Sequence, residues 1–247
     1  MKLEVCIDNI ESAMIAEQAG ADRLELCTCL SVGGVTPSYG LIESAVDLVN
    51  IPCYVMIRPR AGDFLFNTLE IDMMVKDIQI AKQLGAQGVV IGALTSNAEI
   101  DCQTSQLLIQ AAEGLDVTFH RAFDLCKDPF KSLEQLIELR CDRVLTSGQH
   151  RTALEGKIPL KRFVEQAKQR IQIMAGAGIC AENLQSLIDD TGVNEVHLSG
   201  KGYRLSTMPL LTNAIMGNCR EEDQKIWRTD FEKIQHVRQI LDDYREK

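Results

Sequence analysis

A chain of 247 residues has room for one large domain or two small ones, and its 45% hydrophobic and 25% charged content supplies a core and excludes a disordered chain. The formal net charge of -9 opposes broad attraction to nucleic acid or anionic lipid, because phosphate binding needs clustered Lys and Arg. No run approaches the roughly 20 apolar residues of a spanning helix, and the start Met1-Lys2-Leu3-Glu4-Val5-Cys6 lacks the apolar stretch of a signal peptide, so no membrane partner, no nucleic-acid partner and a cytoplasmic location are expected.

Short β-rich runs alternate with amphipathic helical patterns from one end of the chain to the other. Leu3 to Ile7 reads as the first strand, followed by Arg23 to Cys27 and Cys53 to Ile57. After the third, Ile71, Met74, Val75, Ile78, Ala81 and Leu84 recur at helical spacing, and Asn67 with Glu70 makes a capping box. Gly88 to Ile91 and Val117 to His120 are the next strands, and Lys127-Asp128-Pro129 then opens a helix with Asp as cap and Pro in the first turn. Arg143 to Thr146, Ile171 to Met174 and Glu195 to Leu198 complete eight strands. Residues 200 to 228 are expected to form an irregular loop, a lid or interface segment, before a last helix with Phe231, Ile234, Val237, Ile240 and Leu241 on one face. Eight units without a long linker predict a single α/β domain over residues 1 to 247: a closed (β/α)₈ TIM barrel of parallel strands with outer helices.

In a closed barrel alternate strand residues point inward, so polar side chains of one parity near a strand's carboxyl end are site candidates. Glu4 and Cys6 share a face in the first strand, Glu25 and Cys27 in the second, Thr118 and His120 in the fifth, and Glu195, His197 and Ser199 in the eighth. An inward carboxylate needs a cation, and Arg58 at the end of the third strand is the expected partner, giving one cluster of Glu4, Glu25, Arg58 and His120. As a site it offers general acid/base chemistry with Glu25, His120, Glu4 and His197 as catalytic candidates, and as plain structure it is an ion network plugging the barrel. His120 and His197, both at strand ends, are also possible metal ligands, although no local spacing motif joins them. His150 and His236 read as solvent-facing.

Anion-binding candidates lie on three loops. Arg58 and Arg60, stiffened by Pro59, suit bidentate capture of carboxylate or phosphate, unless Arg60 merely pairs with Asp63. Gly176 and Gly178 follow the seventh strand and run into a helix, leaving backbone N–H groups for an anion, or serving a tight turn. Thr146 and Ser147 after the sixth strand add hydroxyls.

The nine cysteines, at 6, 27, 29, 53, 102, 126, 141, 180 and 219, contain no CxxC pair and no disulfide framework, so reduced thiols are expected. Cys27-Thr-Cys29 offers two soft thiolates to Cu(I) if both sulfurs face one way, and two structural thiols if they do not.

Six blocks in order, Gly20-Ala-Asp-Arg-Leu-Glu-Leu-Cys27, Gly33-Gly-Val-Thr-Pro-Ser38, Ile57-Arg-Pro-Arg-Ala-Gly-Asp-Phe64, Thr118-Phe-His-Arg-Ala-Phe-Asp124, Arg143-Val-Leu-Thr-Ser-Gly-Gln149 and Ile173-Met-Ala-Gly-Ala-Gly178, resemble the CutC family. Glu182-Asn183 and Glu195-Val-His197 extend the likeness, which spans residues 3 to 200 and leaves Tyr203 to Arg228 without a counterpart. The resemblance implies a TIM barrel and a cytoplasmic role in copper homeostasis, with a copper ion bound through Cys27 together with Cys6 or Cys29. A homodimer is the further expectation, from common usage and from the family.

Two functions follow from the sequence. One is a copper-binding protein of copper homeostasis. The other is an enzyme using acid/base chemistry on a small phosphorylated or carboxylated metabolite, with a small anionic ligand held by Arg58 and the glycine turn; whether the protein is an enzyme stays open.

Overall fold

A computed structural model describes residues 1–217 and 219–244; Asn218 and residues 245–247, which fall within the predicted domain, lie outside the described residues. Eight parallel strands close a barrel in sequence order: β1 (Lys2–Ile7), β2 (Arg23–Leu26), β3 (Cys53–Met56), β4 (Gly88–Ile91), β5 (Asp116–Phe119), β6 (Arg143–Thr146), β7 (Gln172–Gly176) and β8 (Glu195–Leu198). Closure runs through β1 and β8, with Lys2 opposite Glu195 and Glu4 opposite His197. The predicted single TIM barrel is therefore the observed fold. Strand ends differ by one or two residues from expectation: Cys27, Ile57 and His120 lie just beyond their strands, where loops begin.

The outer layer consists of α1 (Ile10–Gln18), α2 (Tyr39–Leu48), α3 (Thr68–Gln83), α4 (Cys102–Ala111), α5 (Pro129–Glu138), α6 (Lys157–Ala167) and α7 (Ala181–Thr191), with α9 (Phe231–Asp243) completing the ring. Local chemistry starts them. Asn67 accepts from the Glu70 backbone while Glu70 reaches back, the capping box read from the sequence, and Asp128 caps α5 with Pro129 in its first turn. Outward strand residues such as Leu3, Val5, Leu24, Val55, Val89, Phe119, Val144 and Val196 are fully buried against Ala13, Ile42, Met74, Leu108, Leu136, Phe163 and Leu187 of the helices. Each such side chain contributes about 1.5–3 kcal/mol of transfer free energy. In α9, Ile234, Val237 and Leu241 are fully buried while Phe231 at the helix start is exposed, so the predicted stripe is one residue narrower.

Residues 200–228 are not simply irregular. Two antiparallel strands, β9 (Lys201–Leu205) and β10 (Lys225–Thr229), form a ribbon preceded on its return by the short α8 (Arg220–Asp223). Tyr203 and Trp227 face each other edge to face with centroids 5.4 Å apart, and Lys201 sits 3.9 Å above the Trp227 ring. The alternation that builds a ribbon was hidden by the separation of its two strands. The ribbon is tied to α1: Thr229 donates to Ser12 Oγ (2.9 Å), Asn9 donates to the Trp227 carbonyl (3.2 Å), and Arg204 and Arg228 both meet Glu11. Among the described residues no helix is long and apolar enough to cross a membrane.

Candidate functional site

The inside of this barrel is ionic rather than apolar. The parity that points Glu4, Glu25 and Glu195 inward also points Arg23 and Arg143 inward, and both guanidiniums lie near the Tyr54 ring, at 4.8 and 5.2 Å from its centroid. Arg23 binds Glu4 through Nε and Glu195 through Nη2 (2.8 Å), and Arg143 reaches the same Glu195 oxygen at 3.1 Å. These carboxylates raise the Arg23 pKa further, against burial, which lowers it. The Tyr54 hydroxyl donates to Asp116, and burial together with that bond pushes its pKa up to about 12.

Above this network, at the carboxyl ends of the strands, opens a cavity of about 1130 Å³. One arc of its wall comes from β8, β1 and β2. His197 Nε2 lies 2.9 Å from Glu25 Oε2 and 3.8 Å from Glu4 Oε1. Ligand atoms of Cys6, Glu25 and His197 lie within 4.8 Å of one another. Gly176 makes room here, since a Cβ would stand 2.5 Å from Leu145 and 3.5 Å from the His197 ring. Burial opposes a charge on His197, but Cys6 and Glu25 beside it outweigh that and hold its pKa well above the ordinary value. Burial pushes the Cys6 thiol up. The carboxylates Glu4, Glu25 and Glu195 outnumber the guanidiniums of Arg23 and Arg143 by one, a deficit that a protonated His197 or a bound cation fills. Glu4 Oε1 and Glu25 Oε1 are buried without a hydrogen-bond partner, although such atoms normally have one.

The second arc comes from the loops after β3 and β5. Arg58 Nη1 donates to the carbonyls of Val32 (2.9 Å) and Gly34 (3.0 Å), and Nη2 to that of Gly62 (2.9 Å). Its guanidinium lies 4.7 Å from the Phe64 ring centroid, and Phe64 in turn packs against His120 at 4.8 Å. Ala122 N–H donates to His120 Nδ1 (3.2 Å). Burial, aided by Arg58, lowers the His120 pKa to about 3, so the ring is neutral.

Two sequence expectations need correction. Arg58 does not join Glu4 and Glu25: its donors serve loop carbonyls, and the cations that balance the acids are Arg23 and Arg143. Cys27 and Cys29 do not present a pair of thiolates either. Cys27 Sγ is turned inward, 3.5 Å from Glu25 Oε2, and burial followed by Glu25 raises its pKa well above the ordinary thiol, whereas Cys29 is exposed in a left-handed turn at the rim. The sulfur grouped with His197 and Glu25 is that of Cys6.

Among the anion candidates, Arg60 is spent at the surface on Glu70 (2.5 Å), Asp63 (2.9 Å) and the Leu65 carbonyl (2.9 Å). Thr146 and Ser147 donate to Asp124 at 2.5 and 2.9 Å and hold the loop after β6 to the turn after His120. Gly176 packs beneath His197, and Gly178 alone of the glycine pair borders the cavity. The ribbon supplies rim residues that the sequence did not single out, Lys201, Trp227 and Arg228.

The CutC family model matches residues 1–202. A CutC family protein of Pasteurella multocida (strain Pm70) is 68% identical over 244 residues, covering 99% of this chain and 100% of that protein. One from Histophilus somni (strain 2336) is 61% identical over 241 residues, covering 98% and 99%. Among solved structures, the candidate copper homeostasis protein CutC of Streptococcus agalactiae superposes with a TM-score of 0.78 at 39% identity, covering 81% of this chain and 98% of that one. Thiamine phosphate pyrophosphorylase of Pyrococcus furiosus, at TM-score 0.60 and 16% identity, shares the fold.

Proposed function

The chain belongs to the CutC family, and from that premise and the chemistry of its barrel mouth we propose that it binds a copper ion as cargo in copper homeostasis, through Cys6 and His197 with Glu25. The observation that carries this reading is the buried Cys6–His197–Glu25 cluster, whose ligand atoms lie within 4.8 Å, beside two carboxylate oxygens with no partner. A thiolate and an imidazole are soft enough for Cu(I), and Glu25 offers a carboxylate oxygen as a third ligand atom. Cys27, on the same Glu25 oxygen as His197, stands ready as a second sulfur. All nine cysteines are free thiols, which suits a reducing compartment such as the cytoplasm.

Binding displaces protons from Cys6 and His197, both of which hold them above their ordinary pKa values. Apparent affinity therefore rises with pH, by up to about tenfold per unit for each proton released. The test is competition against a calibrated Cu(I) chelator at two pH values, on the wild type and on Cys6→Ser, Cys27→Ser and His197→Gln. Tight binding that Cys6→Ser and His197→Gln each weaken by about 100-fold or more supports the reading. Negligible wild-type affinity, or affinity unchanged by those two substitutions, overturns it.

A further inference from the structure

Four arginines among the described residues are buried, and three of them reach a carboxylate: Arg23 reaches Glu4, Arg143 reaches Glu195, and Arg238 reaches Asp22. Arg58, 5% exposed, reaches none. Its hydrogen bonds go to three neutral carbonyls, which orient the guanidinium without neutralising it, and its Nε is buried with no partner. A buried charge without a counter-ion is costly, and a fold retains one where a ligand supplies the opposite charge.

His120 gives an independent observation. The Ala122 N–H donates to Nδ1, which makes that nitrogen the acceptor and leaves the proton of the neutral ring on Nε2. Nε2 is buried and unpartnered in a residue 3% exposed, so a fixed N–H donor has no acceptor. The ring lies against Gly92, where any side chain would collide with it, and Phe64 covers its other flank. Arg58, Phe64 and His120 all border the same cavity.

We propose that the Arg58–His120 arc is a binding site for a small carboxylate, whose oxygens accept from Arg58 Nε–H and His120 Nε2–H and whose charge is the missing counter-ion. Two free donors and one unmatched positive charge fit a monoanion with two oxygens. A phosphate dianion would bring a second charge and a third acceptor that nothing on this arc meets. The neutral imidazole donates without passing on its proton, so the arc holds a carboxylate rather than protonating it. The inference is independent of the copper reading, which rests on the other arc, and is tested without metal.

The experiment uses metal-free wild-type protein labelled with ¹⁵N-histidine, in the presence of chelator. Long-range ¹H–¹⁵N spectra should show His120 protonated on Nε2 and unprotonated on Nδ1 between about pH 5 and 8. Acetate and pyruvate, each titrated to about 50 mM, should shift Hε2 downfield saturably and raise the melting temperature. Neutral acetamide, and sodium chloride at matched ionic strength, should do neither. His120→Phe should weaken acetate and pyruvate binding about tenfold while the far-ultraviolet dichroism stays native. An Nδ1-protonated ring, no saturable Hε2 shift with either carboxylate, or an equal response to acetamide overturns the proposal. So does unchanged binding in a folded His120→Phe.

Discussion

Burial of His120 without a counter-ion ties its proton to folding. Burial holds the native ring down to a pKa of about 3, whereas in the unfolded chain the imidazole keeps its ordinary value of 6.5. Below the unfolded value the unfolded state binds a proton that the native state refuses, so this contribution to stability is complete above about pH 6.5 and is lost as pH falls towards 3. The slope is about 1.4 kcal/mol per pH unit. His197 has the opposite shift and stays charged in both states well below its unfolded value, so it adds no slope there. Urea unfolding between about pH 6.5 and 5 should lose most of its pH dependence in His120→Phe; an unchanged slope would contradict the assignment. At this scale strand parity made Cys6, Glu25, His120 and His197 readable as inward groups. The same parity holds Arg23 and Arg143, yet strand-end chemistry drew attention away from residues that open their strands. The pairing of Arg60 with Asp63 was legible three residues along the chain, whereas the partners Glu70 of Arg60 and Asp124 of Thr146 and Ser147 lie 10 to 23 positions away in sequence, and no local pattern announces them.

At the scale of elements, the barrel strands and the capped helices follow from patterns a few residues long, which explains why the eight units were legible. The ribbon was not, because β9 and β10 pair across a long interruption between Leu205 and Lys225. That interruption carries exposed Met208, Leu211, Ile215 and Met216, and none of its described residues belongs to the barrel core, whereas Thr229 and Arg228 fasten the ribbon base to α1. Joining Leu205 to Lys225 by an Asn-Gly turn should keep the ribbon, since such a turn matches antiparallel strand twist. Calorimetry should place the barrel's stability within about 1 kcal/mol of wild type, as loop length alone costs little. Thr229→Val, which leaves the backbone bond to Ser12 and removes the hydroxyl donation to the Ser199 carbonyl, should cost about 1 kcal/mol by the same measurement.

For the whole molecule, the unusual term is the ionic interior. Arg23→Met strips Glu4 and Glu195 of a shared partner inside a closed barrel, and the expected loss is about 3–5 kcal/mol in chemical denaturation. Adding Glu4→Gln should return part of it, because the unmatched charge is then removed; a double variant no more stable than the single one would argue against the charge accounting. The CutC model ends at residue 202, so the core of the fold is read from the family, while α9 with its buried Ile234, Val237 and Leu241 completes the packing beyond that limit.

The two arcs differ electrically: on the β8–β1–β2 side the charged His197 balances the extra carboxylate, while on the other arc Arg58 keeps an unmatched guanidinium. A small anion drawn into that field should be turned before any contact forms, with its acid end towards Arg58. Steering of this kind acts over distances that salt shortens, so it belongs to the speed of arrival more than to the strength of the final seat. Association rates compared across salt concentrations separate the two.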